Sequence, residues 1–194
     1  NIFDFATSEL SQDAMFAWLM SWANPQYKDN NPMLNSAAVE FVQLLLNKNE
    51  DFYINKIEVG RQWQNIDIWA EINDDILLII EDKVETSEHS NQLERYRQIA
   101  QEEYIGQNVQ VFCSYIKIGN EPDAILSKIR EKGYHTIERN DILSCIGKYC
   151  SSHPLLQDYY NHLNNIEMLT QSYQTKLMKD WDWYAWQGFY KELE

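Results

Sequence analysis

Positive charge is what this chain has least of. Sixteen lysines and arginines stand against 30 aspartates and glutamates, a formal net charge of −14. A protein that coats nucleic acid through overall basicity is excluded, although a local basic groove is not. Cysteine is sparse as well. Cys113, Cys145 and Cys150 make no disulfide framework and fit a reducing, cytoplasmic setting. Six glycines and four prolines in 194 residues exclude a collagen-like or low-complexity chain. No apolar run approaches the roughly 20 residues a bilayer-spanning helix needs, so no membrane partner is expected. The longest run, Ile76 to Ile80, is of strand length. Nothing at the start reads as a signal peptide. The first residue is Asn1 rather than Met and the end is an aromatic cluster, so a chain trimmed at both ends is expected. What remains is 44% hydrophobic and 24% charged, an ordinary globular balance with length enough for its own core.

Periodicity orders the chain. Ala14, Trp18 and Trp22, with Met15 and Leu19, recur at helical spacing behind Ser11, a suitable N-cap. A second helix over residues 35–47 carries Leu34, Ala37, Ala38, Phe41, Leu44 and Leu45 on one stripe, with Glu40 at its edge. Three strands follow at 52–63, 66–72 and 76–83, the last two joined by Asn73, Asp74 and Asp75, and make a meander. Five successive apolar residues in the third strand indicate cover on both faces. Then come a helix over 88–104, a strand over 109–118, a helix over 123–132, a short strand over 134–137, and helices over 140–150 and 155–178. This is an α/β chain with a mixed four- to five-stranded sheet flanked by helices. The expected division is a core over 1–138 and a C-terminal helical extension packed on it over 139–194, possessing the aromatic tail.

The third strand ends in Glu81, Asp82 and Lys83. Alternation puts Glu81 and Lys83 on one face and Asp82 on the other. Two buried charges need partners or a metal. If the preceding strand pairs antiparallel, its Asp67 faces Glu81. Two hard carboxylates suit Mg²⁺ or Mn²⁺, and a lysine beside them can orient or deprotonate a water. With 30 acids and 11 lysines, about one or two acid-x-Lys matches arise by chance, and one is present. The residues alone therefore leave two readings, a metal site or a strand-end salt bridge with Asp67 in a turn.

Order and spacing together resemble the PD-(D/E)XK nuclease superfamily over about residues 1–118. Glu40 matches the family's first-helix acid, Asp67 its second-strand Asp, and Glu81 and Lys83 its Glu-x-Lys. Gln92 and Tyr96 match the Gln-x-x-x-Tyr element of the RecB-like branch. The stretch 88–96 and the opening at 3–13 are similar to one bacterial subfamily. Ile66 stands where the family name has Pro. The resemblance implies a restriction-endonuclease-like core and a Mg²⁺- or Mn²⁺-dependent hydrolase of phosphodiester bonds, DNA in preference to RNA. It implies a metal on Asp67, Glu81 and the Asp82 carbonyl, with Glu40 acting through water or on a second ion. Lys83 positions the nucleophile, Gln92 the phosphate or Lys83. Tyr96 contacts the nucleic-acid backbone or, alternatively, packs on Ile99; His89 touches a phosphate or, in the favoured reading, starts the helix; Arg95 is a local basic candidate for substrate binding. The alternative is a catalytically silent nuclease fold used for binding or scaffolding. The net charge is a difficulty for either, and a partner subunit or oligomer that supplies positive charge would relieve it. Cys145, Cys150 and His153 have poor zinc spacing, and no Gly-rich phosphate loop is present.

Overall fold

The computed structural model describes residues 1–84 and 91–194. Its centre is one five-stranded sheet in chain order: β1 (Ile57–Trp63), β2 (Ile66–Ile72), β3 (Ile76–Lys83), β4 (Gln110–Lys117) and β5 (His135–Glu138). The first three strands form an antiparallel meander, and β4 and β5 continue parallel to β3. The mixed α/β sheet expected from the sequence is therefore present, in the arrangement of a restriction-endonuclease-like fold.

Two tight turns fix the register of the meander. Gln64 and Asn65 join β1 to β2 at φ 53° and 68°, and Asn73 and Asp74 precede β3 at φ 55° and 64°. Positive φ at both central residues gives a type I′ turn, whose twist suits a hairpin and which Asn and Asp tolerate. Ile68 is then opposite Ile80 and Ile72 opposite Ile76. Continued by one residue, that register sets Asp67 beside Glu81.

Helices cover both faces. On one lie α1 (Glu9–Ser21), α2 (Pro32–Leu45), α5 (Arg139–Ile146) and α6 (Pro154–Thr170). They bury Phe16, Phe41, Ile142 and Leu163 against Ile68, Leu78 and Ile80. On the other lie α3 (Gln92–Glu103) and α4 (Asp123–Glu131), with Leu93 and Leu126 against Leu77, Ile79 and Tyr115. β3 is buried along its whole length, as its apolar run requires. The last helix, α7 (Trp183–Glu192), follows two short 3₁₀ turns.

Several boundaries differ from those the sequence suggests. The N-cap of α1 is Ser8, whose hydroxyl accepts from the Ser11 N–H, so Ser11 lies inside the helix. A polar first turn hid the start from a reading based on apolar spacing. α2 starts at Pro32 behind an Asn31 cap, because Pro is preorganised for a first helical position. α6 stops at Thr170 rather than running to 178.

Candidate active site

The carboxyl end of β3 gathers the charged residues. Glu81 and Lys83 project with Leu77 and Ile79 toward the α3 side, while Asp82 follows Leu78 and Ile80 toward α1. Lys83 Nζ lies 2.5 Å from Glu81 Oε1. Gln92, the first residue of α3, donates from Nε2 to the same oxygen at 2.7 Å and to the Tyr96 hydroxyl at 3.0 Å. Asp67 Oδ2 accepts from the Asp82 backbone N–H at 3.1 Å. Glu81 Oε2 is buried and has no hydrogen-bond partner among the described residues.

This packing is electrostatically costly. Burial, and then the charge of Asp67, push the Glu81 carboxyl up to about 8. Burial also raises Asp67, against the pull of the Asp82 N–H and of Lys83. For Lys83 burial works downward, but the bond to Glu81 and the charge of Asp67 outweigh it and hold the amine above its ordinary value. Lys83 is therefore an ammonium at neutral pH, and the two carboxyls are short of positive charge.

A second polar layer braces the other side of β3. The Asp82 side chain is fully buried, and Gln12 Nε2 donates to its two oxygens at 2.7 and 2.9 Å. Tyr159 of α6 donates to Gln12 Oε1 at 3.2 Å. Burial and Asp67 push Asp13 up to about 7, and burial together with Asp13 raises Asp82. Asp13 Oδ1 is buried and has no hydrogen-bond partner among the described residues. In the first turn of α1, Glu9 Oε1 accepts from the Val84 N–H at 3.3 Å, just past β3.

Asp67, Glu81, Lys83 and Gln92 thus come together. Glu40 does not join them. Its carboxylate bonds Lys148 Nζ at 2.9 Å and the Tyr149 hydroxyl, because α2 packs on α1 and α5 rather than over the strand ends. The acids that a helix brings toward the site are Glu9 and Asp13 of α1. Tyr96 is 4% exposed, so it braces Gln92 instead of meeting a ligand directly. Arg95 is exposed, with its guanidinium 5.2 Å from the centroid of the Tyr96 ring. The His89 expectation lies outside the described residues. Asp82 offers only its main chain to the Glu81 side. Sequence reading passed over Glu9, Gln12, Asp13 and Tyr159. Their signal was polar residues spaced by three and four in a helix whose neighbours are apolar.

Among the described residues no three His, Cys, Asp or Glu side chains form a ready-made metal cage. Asp67 and Glu81 do offer two adjacent hard oxygen donors. The orphaned Glu81 Oε2 and the raised carboxyls show a deficit of positive charge there. That donor set fits a hard divalent cation that keeps waters and substrate oxygens as its other ligands. Cys113, Cys145 and Cys150 are free thiols.

A family model described as the PD-(D/E)XK nuclease superfamily matches residues 1–175. No curated protein and no solved structure matches the chain.

Proposed function

Because the chain belongs to the PD-(D/E)XK nuclease superfamily, we propose that it hydrolyses phosphodiester bonds of nucleic acid, DNA in preference to RNA, with Mg²⁺ or Mn²⁺ bound. The observation that carries this reading is the convergence of Asp67, Glu81, Lys83 and Gln92 at one strand end, with a buried Glu81 oxygen that has no hydrogen-bond partner among the described residues. Asp67 and Glu81 hold the ion, and the Asp82 carbonyl completes the protein's share. A divalent ion there polarises the phosphodiester and lowers the pKa of bound water.

The chain's own groups do the rest. Gln92 ties down Glu81 Oε1, so Oε2 would be the oxygen left to hold a cation. The Tyr96 hydroxyl fixes Gln92. Lys83, as an ammonium, donates to the attacking water or to a phosphate oxygen and offsets charge built up in the transition state. It orients the water; its raised pKa makes it a poor proton acceptor. Arg95 contacts the backbone of the bound strand.

Calorimetry on Asp67→Asn tests the ligand assignment. Mn²⁺ affinity is expected to fall well over tenfold. Unchanged affinity would remove Asp67 from the ligand set.

A further inference from the structure

β1 and β2 continue the sheet face that bears Asp67, Glu81 and Lys83, whereas α3 packs mainly on β3 and β4. That half is covered at Glu71, whose carboxylate accepts from the Tyr104 hydroxyl, and beside it stands a large side chain that neither core uses. Trp69 follows Asp67 by two residues on β2, so it shares the face at about 7 Å along the strand. It remains partly exposed and packs into neither hydrophobic cluster. Its indole lies flat over Gly60, its register partner on β1. A Cβ at Gly60 would stand 2.4 Å from the ring, so only glycine allows that pose.

The surroundings say what the ring can receive. Glu58 and Glu71 face each other across β1 and β2 two residues further along, and Asp67 lies on the other side of Trp69. Phosphates are repelled from such ground, while the face of a neutral base is not. An aromatic ring of this kind stacks bases without regard to sequence.

We propose that Trp69 is a stacking subsite for an unpaired nucleobase next to the phosphodiester held at Asp67, Glu81 and Lys83. The inference rests on the nuclease reading and narrows it. The substrate is a strand with accessible bases, single-stranded or frayed, and its affinity comes from stacking more than from phosphate contacts. That also removes much of the difficulty posed by a net charge of −14.

The test measures anisotropy of labelled oligonucleotides, DNA and RNA in parallel, with Mg²⁺ present. A Lys83→Ala background keeps the strands intact. Each base-bearing strand is compared with an abasic strand of equal length and charge. With Trp69 in place, the abasic strand is expected to bind about tenfold more weakly or worse. Trp69→Leu should bind both strands alike, and Trp69→Phe should restore most of the discrimination. A purely structural Trp69 would lower both affinities together. Undiminished discrimination in Trp69→Leu overturns the subsite and leaves the nuclease reading standing. If neither strand binds with Trp69 in place, the nuclease reading fails and the subsite with it. The sugar that binds better names the substrate.

Discussion

Glu81 is the residue on which the site's electrostatics turn. It gives one oxygen to Lys83 and Gln92 and keeps the other buried, with no hydrogen-bond partner among the described residues. Its carboxyl titrates at about 8 and that of Asp13 at about 7, both raised first by burial. The folded, metal-free protein therefore binds more protons than the unfolded chain between roughly pH 4 and 8. The stability tied to those protons is present at low pH and is lost as pH rises through the folded values. Thermal melts in chelator should shift to lower temperature from pH 6 to 9, and Glu81→Gln should flatten that slope. Added Mg²⁺ should stabilise more at the upper end, where the carboxylates are ionised. The same property makes Lys83→Ala tolerable to the fold. Glu81 already holds a proton at neutral pH, and once its lysine is gone it keeps that proton to higher pH. Tyr96→Phe removes an oxygen that fixes Gln92, and it should lower kcat several-fold with little change in KM. A loss confined to KM would return Tyr96 to a substrate-contact role.

At the scale of elements, the question is which helix serves the strand ends. α1 reaches Val84 with Glu9 and Asp82 with Gln12, whereas α2 directs Glu40 to Lys148 and Tyr149. Glu9→Gln should slow cleavage about tenfold or more, and Glu40→Gln should leave it within about twofold. The reverse order would restore the assignment suggested by resemblance. The meander and its site were legible because their signals are local. The Asn-rich turns, the apolar run of β3 and the alternation of Glu81, Asp82 and Lys83 all follow from neighbours in sequence. The helix that supplies the acid was not legible, since both helices carry acids and only tertiary packing decides which one meets the sheet. Tyr159 was hidden for a like reason. Its partner Gln12 is 147 residues away. α6 also places Leu156, Tyr159 and Leu163 in the main core. Leu163→Ala should therefore cost about 2–5 kcal/mol in denaturant melts. A chain ended after Glu138 should fail to fold; a cooperative melt from it would support a self-sufficient core over residues 1–138.

For the whole molecule the governing fact is a nuclease-family fold in a chain with nearly twice as many acids as bases. Long-range attraction to a polyanion is weak, so the proposed cleavage would depend on local features: a cation held by Asp67 and Glu81, one ammonium at Lys83, and a ring at Trp69. Binding to single strands should accordingly show a shallow dependence on salt. A steep slope would point instead to a basic surface supplied by a partner. The most direct measurement is cleavage of single-stranded DNA, duplex DNA and RNA with Mg²⁺ or Mn²⁺, with the intact protein and Lys83→Ala prepared identically. Metal-dependent cleavage by the intact protein and a loss of at least about a hundredfold in the variant are expected. Equal activity in the two, or none from the intact protein while it binds nucleic acid without metal, would contradict the nuclease reading.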